Sequence, residues 1–186
     1  MKLATVLSTI IVIGAISTLA NADEENFSSW LFSADRKKEI APAEDATYLE
    51  ECGACHFAYQ PGWLPEASWK KIIQAKALED HFNENAELDE ETRKHIEQYL
   101  VANSAEKSMY KRSRKIMASL KSDEAPMRIT EVPYIIDKHH EIPKRLITGN
   151  DKVKALSFCD KCHQDATAGN FEEDSVKIPG YGRLSD

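Results

Sequence analysis

An all-α fold of short helices and long connections is what this sequence predicts, and three observations predict it. Strand-like alternation with a period of two is nearly absent, while apolar residues recur at helical spacing in several short stretches. All four cysteines fall in two copies of one pattern, Cys52-Gly53-Ala54-Cys55-His56 and Cys159-Asp160-Lys161-Cys162-His163. Composition bounds the rest: 186 residues, 42% hydrophobic, with 31 acidic against 24 basic side chains and a formal net charge of -7. That apolar fraction suffices for one or two small cores. The acidic balance argues against nucleic acid as a partner.

Residues 1–22 read as an address rather than as fold. Lys2 precedes an apolar run from Leu3 to Ala20, and Ala20-Asn21-Ala22 is a small-x-small cleavage site before Asp23-Glu24-Glu25. A run this long could nearly span a bilayer as an uncleaved anchor, but the cleavage site and acidic flank favour a signal peptide removed after Ala22. Export is then expected, with the periplasm as compartment and no stable membrane insertion after cleavage. In an oxidising compartment four cysteines would ordinarily form two disulfides. Here each Cys pair is followed at once by His and every cysteine is consumed, which points instead to covalent attachment of two c-type haems. A structural zinc site would normally separate its His pair from its Cys pair.

The spacing suits that chemistry. Cysteines at i and i+3 lie on one helical face, placed for two thioether bonds along one porphyrin edge, and the next residue is carried under the iron. His56 and His163 are therefore the expected proximal ligands, with Cys52, Cys55, Cys159 and Cys162 as the covalent anchors. Tyr48, Leu49, Cys52 and His56 are in helical phase over 46–57. Val153, Leu156, Cys159 and His163 are in phase over 151–163, with Asn150 or Asp151 as cap.

What an iron does depends on its sixth ligand. The candidates are His81, His95, His139, His140, Met109, Met117 and Met127. Residues 129–143 read as a helix with Thr130 as cap, Pro133 in the first turn and Pro143 as stop. On it, Val132, Ile135 and Ile136 point within roughly 15° of His139 and nearly a right angle from His140. His139 is the inward one; His140 is expected in solvent or as a donor behind a ligand. Ser68 to Asp80 reads as a helix with Trp69, Ile72, Ile73 and Ala77 on one side. It ends at His81-Phe82-Asn83, which places His81 to reach an iron. His95 falls among charges at the margin of the Thr92, Ile96, Tyr99, Leu100 stripe, on a helix capped by Asp89, and reads as surface. Met109 and Met117 read as packing residues, and Met127 has no amphipathic context. From Lys107 to Lys121 six basic residues (Lys107, Lys111, Arg112, Arg114, Lys115, Lys121) occur with no acidic one. That run is either a dock for an acidic redox partner or a solvated face.

The polar, Pro-ended stretch 122–126 divides an N-terminal haem unit, 23–125, from a C-terminal one, 126–186. The expected architecture is a small helical c-type cytochrome with two haem-bearing units and long connecting loops. Several strings carry a more specific likeness. They are Glu51 to Pro65 (ECGACHFAYQPGWLP) with Ser68-Trp69; His81-Phe82 followed by Glu84-Asn85-Ala86 and Leu88-Asp89; and Tyr99 to Asn103. Arg128-Ile129-Thr130 with His139, and Cys159 to His163 before Ile178-Pro179, complete the set. Over most of the chain beyond the signal segment this resembles the soluble dihaem cytochromes c of bacteria, usually called DHC. The resemblance implies two low-potential haems with His on both sides of each iron. By position, His81 is the distal ligand to the haem on Cys52 and Cys55, and His139 to that on Cys159 and Cys162. It also implies electron transfer with other periplasmic haem proteins or membrane-bound cytochromes. Departures from the family pattern are Gln60, where a further Pro is usual, Asn83, where Gly is common, and a longer run between Trp69 and His81. A freestanding, non-enzymatic electron carrier is the leading reading. An electron-transfer subunit of a periplasmic reductase ranks below it, because such subunits hold their motifs closer together. A dihaem enzyme such as a peroxidase ranks lower still, since the histidines are already spoken for.

Overall fold

The computed structural model describes residues 39–183, so the signal-peptide segment 1–22 lies outside the described residues. Eight short α-helices follow one another: α1 (Ala46–Gly53), α2 (Glu66–Ile72), α3 (Ala75–Glu79), α4 (Glu90–Ala102), α5 (Lys111–Ser119), α6 (Pro133–His139), α7 (Lys144–Ile147) and α8 (Cys159–Cys162). Single 3-10 turns such as Pro61–Trp63 and Ala166–Ala168 join them, and no strand occurs among the described residues. The all-α expectation holds.

The longest helix shows why the chain folds locally as it does. Asp89 caps α4 by accepting from the amides of Glu91 and Thr92, each at 3.0 Å. Glu90 and Glu91 then sit in its first turn, where they complement the helix dipole. Ile96 and Leu100, one turn apart, point inward, and α1 and α2 pack on α4. His95 lies on the outer face, as expected, with its Nε2 2.8 Å from Asp45 Oδ2. Asp45 is itself the cap of α1, accepting from the Tyr48 amide at 2.8 Å.

Ile40, Leu64, Ile96, Leu100, Ile116 and Val132 are almost wholly sealed from solvent. Each contributes about 1.5–3 kcal/mol by leaving water. The same core extends from Ile40 to Phe171. Both motif-bearing stretches share it, because α5 packs on α6 across the polar stretch 122–126. Close to its centre, the Glu39 and Ile40 amides donate to the Gly169 carbonyl at 2.8 and 3.2 Å. Gly169 has φ +78, and a Cβ there would lie 2.1 Å from the Ile40 carbonyl oxygen.

Four expected helices need correction. The helix over 151–163 does not form. Lys154 has φ 71, outside the helical region, and only the turn Cys159–Cys162 is helical. Residues Val153, Ala155, Leu156 and Phe158 instead open out to wall a cavity. Asn150 holds this loop rather than capping a helix, accepting from the Lys152 amide and donating to the Pro179 carbonyl. The helix over 46–57 stops at Gly53, leaving Cys55 and His56 in the turn beyond it. The helix over 68–80 is broken after Ile72, because Gln74 is extended (ψ 138) and the Ile73 carbonyl is taken by the Arg93 guanidinium at 3.2 Å. The break lets Leu78 reach the core on a separate axis. Finally, α6 begins at Pro133 with Val132 as its cap, not Thr130, and Ile136 is 51% exposed rather than inward.

Two expectations on stability follow. Gly169→Ala combines the left-handed penalty with a backbone clash, so it should cost at least about 2 kcal/mol in denaturant unfolding. Gly180→Ala, at φ +86 with nothing within 4 Å of its Cβ, should cost only about 1 kcal/mol. Asp45→Ala should cost about 1 kcal/mol as a lost cap. The bond from the Tyr48 amide holds the Asp45 carboxyl below its ordinary value of 3.8, so the folded chain favours the ionised form. Its contribution is complete above the ordinary carboxylate range and is lost as pH falls through the lowered value. Unfolding midpoints of parent and variant should therefore converge in acid.

Candidate metal centres

Two imidazole pairs face one another. The rings of His56 and His81 have centroids 6.4 Å apart with planes 19° apart, and those of His139 and His163 are 6.2 Å apart at 75°. Two metal–imidazole bonds of about 2 Å, plus about 1.1 Å from each nitrogen to its ring centre, require a separation of about 6.2 Å. Both gaps fit one metal ion with an imidazole on either side. Each pair joins a C-x-x-C-H histidine to one of the two singled out from the sequence.

The supports of these rings differ. His56 follows the end of α1, and its Nδ1–H donates to the Phe57 carbonyl at 2.7 Å. His139 ends α6 and donates from Nδ1 to the Ile135 carbonyl of the preceding turn at 2.7 Å. A carbonyl only accepts, so in both rings Nδ1 carries the proton and Nε2 keeps its lone pair for a metal. His163 closes the single turn of α8, its amide donating to the Cys159 carbonyl at 2.8 Å. Its Nδ1 is buried and has no hydrogen-bond partner among the described residues, unlike the Nδ1 atoms of His56 and His139. Burial lowers the basicity of His81, His139 and His163, the last to about 4. All three are thereby held in the neutral form that ligates.

His81 sits on an unusual turn. Phe82 (φ 57) and Asn83 (φ 79) are both left-handed, and His81 and Glu84 exchange amide–carbonyl bonds at 2.7 and 3.2 Å. This is the geometry of a type I′ turn. Asn is among the few residues other than Gly that adopt this conformation readily, which suits it to position 83. Phe82 has no such tolerance. The Arg128 guanidinium lies 3.9 Å from the centre of its ring and holds it there.

Around the second pair lies a cavity of about 530 Å³, far larger than an ion needs, walled by Ile135, Cys159, Phe171, Val176 and Ile178 among others. Phe171 leans on His163 at 5.2 Å. Arg112 braces it from behind, donating to the Phe171 carbonyl, the Tyr134 hydroxyl and Glu39. None of the four cysteines is in a disulfide. Burial pushes the Cys52 thiol up to about 11 and Cys159 up to about 12, so both stay uncharged at neutral pH. Addition of such a thiol to a vinyl group leaves no charge to bury.

The other candidates fall away from the centres. His95 pairs with Asp45; His140 is exposed and bonds the Asp137 carbonyl. Met109 is 83% exposed, a correction to its reading as a packing residue, whereas Met117 and Met127 do pack on the core. In the basic run, Lys107 pairs with Glu66, Arg112 with Glu39 and Lys121 with Glu124. These three cations thus have carboxylate partners within the chain. The sequence offered Arg112 only as part of the basic run and Arg128 only within a family-like string, and it did not single out Phe171; the spacing of none of the three carries a periodic signal toward the centres.

The family model for dihaem cytochrome c matches residues 48–171, a span that holds both motifs and both partner histidines. No curated protein matches the chain. Among solved structures, a diheme cytochrome c of Shewanella baltica OS155 is 39% identical with a TM-score of 0.62, covering 75% of this chain and 97% of its own. A diheme cytochrome c from Rhodobacter sphaeroides is 37% identical with a TM-score of 0.62, covering 71% of this chain and 100% of its own. Likeness at this identity extends beyond the fold to the cofactor: this chain belongs to the dihaem cytochromes c and carries two c-type haems.

Proposed function

We propose that this chain is an exported, periplasmic electron carrier in which each haem iron is held between two imidazoles. His56 and His81 hold the first, His163 and His139 the second. The observation that carries this reading is the pair of ring separations, 6.4 and 6.2 Å, each matching one iron in line with two nitrogens. Bound there, each haem supplies a one-electron iron couple.

The chain's own residues do the rest. Cys52 with Cys55 and Cys159 with Cys162 fix each group covalently. The proximal rings hold one side, and His81 and His139 close the other against small molecules, which suits electron exchange rather than substrate activation. Imidazole on both sides keeps a haem potential lower than a Met and His pair would. The Nδ1 bonds of His56 and His139 to carbonyls lock ring orientation and strengthen the ligating nitrogen. The partners that fit are other haem proteins of the same compartment, periplasmic or membrane-bound.

The test is the reduced spectrum of the purified holoprotein with and without carbon monoxide, beside a pyridine haemochrome count. Two covalent haems and no spectral change on adding the gas are expected. His81→Ala and His139→Ala should each convert one haem to a carbon-monoxide binder and leave the other unchanged. Gas binding by the unsubstituted protein would overturn the reading.

A further inference from the structure

Two stretches that wall the cavity of the second centre carry charge on their outer side. In 144–158, Leu146, Ile147, Val153 and Leu156 line the cavity, and Lys144, Arg145, Lys152 and Lys154 beside them are exposed. In 176–183, Val176 and Ile178 line it, and Lys177 and Arg183 are exposed. Asp151 is the one carboxylate in the two stretches. None of the six cations has an ion-pair partner among the described residues, whereas nearby Lys138 and Lys161 are taken by Glu173 and Asp160 at 3.1 Å each.

Hydrogen bonds fix the two stretches as a single lip. Asn150 donates to the Pro179 carbonyl at 2.9 Å, and the Lys177 amide donates to the Cys162 carbonyl at 3.0 Å. The Ser157 carbonyl accepts from the Tyr59 hydroxyl at 2.5 Å, 98 positions away. Tyr181 stands on the same lip, 60% exposed, and tyrosine is enriched where proteins meet. The remaining carboxylates of the cavity wall, Asp137, Glu141, Glu173 and Asp174, lie on other stretches.

The first centre carries the opposite sign. Residues 44–56 and 79–91, which bear His56 and His81, hold eleven carboxylates and no Lys or Arg. A negative protein edge is repelled there and drawn to the lip, and such complementarity raises the rate of encounter and fixes orientation. The 107–121 run offers less, since Lys107, Arg112 and Lys121 already have carboxylate partners.

We propose that the lip formed by 144–154 and 177–183 is the docking surface for an acidic redox protein, one whose electron-exchanging edge is ringed by carboxylates, and that this partner exchanges electrons with the second haem. One electron passes per encounter: the donor's centre is oxidised, the haem iron is reduced, and no bond is made or broken. The inference rests on the two-haem carrier reading above.

The experiment mixes oxidised holoprotein in stopped flow with a reduced, acidic plant-type ferredoxin, a low-potential donor. The second-order rate should fall about tenfold between about 0.01 and about 0.5 M salt. The triple variant Lys144→Glu, Arg145→Glu, Lys152→Glu should be about tenfold slower at low salt and nearly insensitive to salt, while Lys111→Glu with Lys115→Glu should stay within about twofold of the parent. Hexacyanochromate(III), an anionic paramagnetic probe, should broaden the amide NMR signals of 144–154 and 177–183 in the unsubstituted, reduced holoprotein, a measurement that needs no variant. Parent rates in the triple variant, equal slowing in the 111 and 115 variant, or broadening centred elsewhere would overturn the proposal. So would a salt-independent ferredoxin reaction beside retention on phosphatidylglycerol vesicles, which would assign the lip to a lipid surface. Failure of the carrier reading shows separately, as a haem count other than two or gas binding by the unsubstituted protein.

Discussion

Everything in this chain depends on holding two imidazoles on opposite sides of a gap about 6 Å wide, twice over, with rings drawn each time from different stretches of chain. A span of that kind cannot be made within one helix, where neighbouring side chains on one face point the same way. The chain must leave one element and return on the far side of the gap, round the cofactor that the proposed ligation places there. Short helices with long connections are the direct result, and the breaks at Ile73, Gly53 and Lys154 are where the chain turns to do so.

The rings could not be held by backbone alone, and the two centres solve this differently. His139 rides on the last turn of a helix and is oriented by that helix's own carbonyl. His81 rides on a two-residue reversal whose Phe82 would be unfavourable in isolation and is retained by a guanidinium on its face. The proximal side of the second centre is propped by Phe171, itself tied by Arg112 to the start of the described chain at Glu39. Charged groups here serve as braces for aromatic rings, which is why several cations of the 107–121 run are turned inward or paired.

The chemistry was far more legible in the sequence than the shape. Both motifs, the inward phase of His139 and the surface position of His95 could be read from residue type and local spacing, whereas His81 stood out only at the end of a helix that the structure breaks, and the pairing of the rings came from the family likeness. Asp89 and its helix could be read as well, since capping is a local signal. The helix expected over 151–163 was not: its apolar phase was real, but those side chains face a cofactor cavity rather than a helical neighbour, and periodicity does not distinguish the two. The inward reading of Ile136 failed for a related reason, as α6 buries only the narrow face holding Val132 and Ile135. Gln60 proved to be a fully buried double hydrogen-bonder, a role set by Ala166 at the far end of the chain.

The ties that close the core and the rings that face each centre operate on different length scales along the chain. His56 and His81 are near one another in sequence, as are His139 and His163, whereas the bonds from Tyr59 and Gln60 reach across separations of 98 and 106 residues. Short loops close early and cheaply, long ones late. If the chain emerges N-terminus first, as the proposed export implies, both rings of the first pair are present before residue 157 has emerged. Attachment of a haem at the first motif and closure of the core are then separable events, the first able to precede the second.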